Sequence, residues 1–120
     1  MRSRFFAALC AGAVLVALPA QAQSLSGDEI LASWGDKRLD ATLPNGNRMQ
    51  LVFRKDLTVH ATGAATDQGV WKTTPTGYCT KWNRFNNREE RCFTVVRRAD
   101  GGFTVRTAAG APSAEVAPLN

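Results

Sequence analysis

The chain has 120 residues, 44% of them hydrophobic, with 15 basic against 10 acidic side chains, three cysteines and a single histidine. A formal charge of +5 is too mild and too spread out for a dedicated nucleic-acid binder. One histidine and no C-x-x-C spacing leave no ligand set for a zinc site, and no cofactor motif is present.

Met1-Arg2-Ser3-Arg4 makes a short cationic start, and Phe5 to Leu18 follow without a charge. Pro19 breaks this run, and Ala20-Gln21-Ala22 has the small-x-small pattern of a signal-peptidase site. The uncharged run of 14 residues falls short of the ~20 that a membrane-crossing helix needs. Cys10 sits inside the run behind Leu9, away from the cleavage point where a lipoprotein cysteine belongs. Residues 1–22 therefore read as a cleaved export signal and residues 23–120 as a single periplasmic or secreted domain with no membrane span. Arg2, Arg4 and Cys10 leave with the signal, so the remaining 98 residues carry a net charge of +3 and an even pair of cysteines. In an oxidising compartment, Cys79 and Cys92 are expected to form a disulfide worth ~3 kcal/mol by the loop-closure argument.

The domain opens on a short helix. Ser26-Gly27-Asp28-Glu29 reads as a capping box, with Leu25 and Ile30 placed for a hydrophobic staple and Gly35 ending the element after about two turns. Ile30, Leu31 and Trp34 give it an apolar side to lay across one end of a β-structure. From Lys37 onward the period is two. Leu39, Ala41 and Leu43 alternate with polar residues up to the Pro44-Asn45-Gly46-Asn47 turn. Met49–Phe53, Leu57–Ala61 and a strand at Val70-Trp71-Lys72 follow, with 62–67 read as a loop. Tyr78–Asn83 and Glu89–Arg98 form the longest hairpin, and Phe103–Val105 and Ala114–Val116 complete the set. The predicted fold is mainly β: an antiparallel meander of seven or eight short strands closing into a small barrel or curved sheet.

Facing Cys79 with Cys92 sets a register that puts Tyr78 opposite Phe93, Thr80 opposite Arg91, Lys81 opposite Glu90 and Trp82 opposite Glu89. Tyr78, Trp82, Phe93, Val95 and Arg91 then share the inner face, with the disulfide and a Lys81/Glu90 ion pair outside. An inward Arg91 would be costly unless paired or solvated, which makes it the polar group of an interior pocket or a residue beyond the rim. The segment 81–98 carries a net +4, with Trp82 and Phe85 standing among Arg84, Arg88 and Arg91. These five residues are the candidate binding residues, facing another periplasmic protein or an anionic ligand. His60 reads as an outward strand residue, and Asp40, Asp56, Asp67 and Asp100 as acids at turns or strand ends. No nucleophile motif accompanies them, so the expected role is binding without catalysis, with no metal.

Gly69-Val70-Trp71-Lys72, Tyr78-Cys79-Thr80-Lys81-Trp82 and Glu90-Arg91-Cys92-Phe93-Thr94-Val95 resemble a family of small periplasmic proteobacterial β-domains of unknown function. That family carries a G-x-W strand and a C-x-x-W…C hairpin, and the likeness spans about residues 24–107. It implies export and a β-fold and carries over no activity. A looser similarity is to the secreted bacterial metalloprotease inhibitors, eight-stranded barrels with one disulfide whose N-terminal segment enters the protease cleft. Gln23-Ser24-Leu25-Ser26 ahead of the helix looks like that segment, although the cysteines here staple a late hairpin where that family's lie early.

Overall fold

The computed structural model describes residues 23–119, and the expected export signal over residues 1–22 lies outside them. One helix, α1 (Gly27–Trp34), precedes eight strands: β1 (Arg38–Thr42), β2 (Arg48–Phe53), β3 (Thr58–Gly63), β4 (Asp67–Thr74), β5 (Gly77–Trp82), β6 (Arg91–Arg97), β7 (Phe103–Thr107) and β8 (Pro112–Pro118). Each strand pairs antiparallel with the next, and β8 returns to β1 from Leu39↔Pro118 to Thr42↔Glu115. The meander is thus a closed barrel. Closure leaves no strand edge free for pairing with another chain. Residues 62–67, expected as a loop, are shorter as one: β3 runs on to Gly63 and β4 begins at Asp67.

The two-residue period decides which side chains meet inside. Leu39 and Ala41, Phe53, Val59 and Ala61, Trp71, Tyr78, Val95, Phe103 and Val105, and Val116 are all buried and belong to one continuous core. The paired Gly69 and Trp82 show why the G-x-W strand carries a glycine. A Cβ at Gly69 would lie 2.3 Å from the Lys81 carbonyl oxygen and 2.7 Å from the Trp82 Cα, so only glycine lets β4 and β5 approach this closely.

Helix α1 closes one end of the barrel. Its capping box forms as predicted: the Glu29 amide donates to Ser26 Oγ at 3.1 Å, and the Ser26 amide donates to Glu29 Oε1 at 2.8 Å. Gly27 presses against β4, where a Cβ would meet the Thr74 carbonyl oxygen at 2.4 Å. The other end is tied to β2, where the Asp36 amide donates to the Phe53 carbonyl at 2.8 Å and the Asp36 carboxylate accepts from the Lys55 amide at 2.9 Å. Between these anchors Ile30 and Trp34 are fully buried. The Trp34 ring lies 5.2 Å from Phe53, 5.5 Å from Tyr78 and 5.6 Å from Phe103, tilted or edge-on to each. It is a stopper that gathers β2, β5 and β7 around one indole.

The seam between β5 and β6 is the weakest join, with three paired positions: Tyr78↔Phe93, Cys79↔Cys92 and Thr80↔Arg91. The Cys79–Cys92 disulfide spans its middle. Towards the helix end, where β5 has not yet begun, the N-terminal stretch takes its place: Ser24 bridges Val96, and the Leu25 amide donates to the Val95 carbonyl at 2.8 Å. Leu25 is buried, so the stretch compared above with an inhibitor's protease-binding segment is docked on its own barrel. Towards the other end the arms separate earlier than the register predicts. Lys81/Glu90 and Trp82/Glu89 do not pair, because the chain turns through a 3₁₀ segment at Phe85–Arg88 in which Asn86, Asn87 and Arg88 all have φ near +60°. Two asparagines tolerate that left-handed conformation, which no strand can contain. Glu90 accepts instead from Lys72 of β4, at 3.1 Å.

Replacing Trp34 by alanine is expected to cost about 3–5 kcal/mol in urea unfolding, as large aromatic truncations in packed cores do. Trp34→Phe, which keeps a ring among its three neighbours, should cost clearly less; equal losses would show that the ring contacts are not what holds the stopper.

Candidate functional site

The barrel interior is filled unevenly along its axis. At the helix end Trp34, Phe53, Trp71, Tyr78 and Phe103 occupy the cross-section with rings. Towards the opposite end the inward positions are smaller: Ala41 on β1, Thr80 on β5, Val105 on β7, and Ala114 on β8. An eight-stranded barrel is just wide enough for its side chains to fill, or to hold one small ligand where they do not. Here they leave a cavity of about 840 Å³ open to solvent. Its floor is Trp34 and Tyr78, its walls include Met49, Leu51, Phe93 and Val116, and its mouth lies among the β1–β2, β3–β4, β5–β6 and β7–β8 loops.

Three of the five candidate binding residues line this cavity. Trp82 is buried, with its ring 5.1 Å from that of Phe85, which reaches in from the 3₁₀ turn. Arg91 faces the interior at the mouth, donates to the Glu89 carboxylate at 3.3 Å and keeps 48% of its side chain exposed, so solvent carries the cost that a fully interior arginine would incur. Arg84 and Arg88 stand apart from it. Arg84 lies outside, 70% exposed, with its guanidinium donating to the Thr66 carbonyl and Nε at 3.6 Å from Asp67. Arg88 sits exposed in the turn.

Two buried polar atoms of residues beside the cavity have no hydrogen-bond partner: Trp34 Nε1 and Thr80 Oγ1. Thr80 is 3% exposed and lies directly across the ladder from Arg91. A buried polar group left unpaired costs about 1–3 kcal/mol. The Trp71 indole is satisfied by the Arg54 carbonyl at 2.8 Å. Burial pushes the Tyr78 hydroxyl well above its usual pKa, so it stays a neutral O–H at the floor. A threonine in a strand carries no chemical signal, so the sequence does not single out Thr80. Its inward parity, opposite Arg91, was the clue available.

The hairpin bearing Trp82 and Phe85 is held by a carboxylate. Asp67, expected as an ordinary strand-end acid, is 7% exposed and accepts from the backbone amides of Gln68 at 2.8 Å, Arg84 at 2.8 Å and Phe85 at 2.9 Å. Burial raises its pKa, but the three amides and the Arg84 charge outweigh this and hold it below the usual carboxylate range.

The other turn and strand-end acids are engaged by neighbours on the outer surface, and Arg98 bridges Asp100 and Glu115. Asp40 pairs with Arg48, Asp56 accepts from Thr58, and Asp100 pairs with Arg98. His60 sits on the outer face of β3 between Val52 and Gln68. Among the described residues no three His, Cys, Asp or Glu side chains gather to hold a metal, and no helix is long and apolar enough to cross a membrane. No protein family, curated protein or solved structure matches the chain.

Asp67 gives the site a defined pH response. Its folded pKa is depressed, so the tie it makes is fully present above the ordinary carboxylate value and is lost as pH falls through the depressed one. Hydrogen exchange at the Arg84 and Phe85 amides should therefore remain slow down to mildly acid pH and be accelerated by Asp67→Ala. Unchanged exchange in the variant would show that the loop is held by other means.

Proposed function

We propose that this is an exported, non-enzymatic binding protein that holds one small, largely apolar molecule in the cavity at the open end of its barrel. The observation that carries this reading is the asymmetry of the interior. One end is plugged by Trp34 and a layer of rings, while the other keeps an apolar cup of about 840 Å³. That volume lies in the range of small-molecule sites, which combine apolar walls with a few placed polar groups, as Thr80 and Arg91 are placed here. Periplasmic or secreted location is supported by the signal-like pattern of residues 1–22 and by the Cys79–Cys92 disulfide, which persists in oxidising compartments. The protease-inhibitor comparison needs a free Gln23–Leu25 segment, and Ser24 and Leu25 are engaged with β6.

The neutral fluorescent probe N-phenyl-1-naphthylamine should bind saturably with one site per chain. Ala114→Trp, which places a ring in the cavity from β8, should weaken it at least tenfold while near-ultraviolet circular dichroism shows the fold retained. No saturable fluorescence increase with the unaltered protein would sink the reading.

A further inference from the structure

We infer that the occupant of the cavity is an amphipathic monocarboxylate, its carboxylate at the mouth against Arg91 and Thr80 and its apolar tail lying towards Trp34. This inference rests on the cavity reading and adds the polarity and orientation of the ligand.

Arg91 and Thr80 are directly opposed across the β5–β6 ladder and share its inward face. Side chains so placed begin about 5 Å apart at Cβ. Thr80 is nearly fully buried and its hydroxyl has no partner. Arg91 offers a planar fork of five N–H donors, of which the structure commits one nitrogen to Glu89 at 3.3 Å. That pair is weak and exchangeable, since its two side chains are 48% and 63% exposed. An unpartnered hydroxyl and a weakly occupied guanidinium, carried by opposed residues of one inward face, suit a carboxylate's two oxygens.

The charges around the mouth favour a single negative charge. Arg91 is the one lysine or arginine among the described residues lining the cavity. Glu90, also at the mouth, is compensated by Lys72 on the outside at 3.1 Å. A dianion would face Glu89 and Glu90 with one guanidinium to hold it, whereas a carboxylate replaces Glu89 like for like. Below this pair the lining turns apolar, with Phe93 and Tyr78 stacked at 5.2 Å and Trp34 beyond them, and there a charge would be costly. The depth is modest. Thr80 to Tyr78 is two strand residues, about 6.6 Å, and there the Trp34 ring, 5.5 Å from that of Tyr78, closes the floor. A medium-length acyl chain or a single aryl group fits that span.

The test is displacement of N-phenyl-1-naphthylamine from the full domain by octanoate and by methyl octanoate at neutral pH. The unaltered protein is expected to prefer the acid at least tenfold, which is ~1.4 kcal/mol. Arg91→Met and Thr80→Val should each reduce that preference to about threefold or less without changing the ester or the probe. Arg84→Met, outside the cavity, should leave the preference intact. Equal displacement by acid and ester, or a preference that survives Arg91→Met, overturns the headgroup assignment while the cavity reading stands. Failure of the probe itself to bind overturns both.

Discussion

The indole of Trp34 is the constraint on which the rest of the structure depends. A barrel of eight short strands has two open ends, and an open end exposes the apolar inner face that its strands were patterned to bury. One helix of eight residues, too short to be stable alone, closes one of them by delivering a single large ring into contact with Phe53, Tyr78 and Phe103. Each of those rings comes from a different hairpin, so the helix ties together parts of the sheet that share no hydrogen bonds with one another. The capping box at Ser26 and the attachment of Asp36 to Phe53 hold the helix at both ends, so the ring enters at a fixed depth.

Plugging one end makes the other end distinctive. With the rings concentrated beside Trp34, the inward positions at the far end carry small side chains, Ala41, Thr80 and Ala114, and the cavity opens among them. The same end receives the least regular part of the chain, where β5 and β6 separate after three pairs and the loop passes through a left-handed turn. The disulfide and the Asp67 carboxylate restrain the two sides of that irregularity, one by a covalent bond across the seam and one by hydrogen bonds from the two loop amides of Arg84 and Phe85. Rigid walls around an open mouth are what the proposed binding role requires, since a cup that collapsed when empty would give up part of its affinity to reopening.

How much could be read beforehand differs from element to element. The helix, its cap and its stop were legible because capping is local: Ser26, Glu29 and Gly35 act on amides and carbonyls within one turn. The strands were legible through period-two burial, and the Cys79–Cys92 pairing set the inner face from Tyr78 to Val95. The hairpin beyond Thr80 departs from the register that continued pairing predicts, because Asn86 and Asn87 take the chain out of the extended region before Glu89 can face Trp82. Glu90 then finds Lys72, a partner on a strand the hairpin register does not include. Asp67 reads like any other turn acid, since its partners are amides seventeen and eighteen positions later.

By itself, then, the sequence determined the local conformations, the alternation of inner and outer faces, and the cysteine pair that joins two strands. Those properties depend on neighbours along the chain or directly across one hairpin. The pattern also pointed to a barrel or curved sheet with the helix across one end; tertiary structure alone decided that the sheet closes by β8 meeting β1, which rings Trp34 meets, and that the other end is hollow. A cavity is a shortage of volume summed over several strands, and no single residue among Ala41, Thr80, Val105 and Ala114 announces it. Arg91 shows the division most clearly. Its inward face followed from the disulfide register, but its place at a solvated mouth, beside an unpartnered threonine, follows from where the barrel ends.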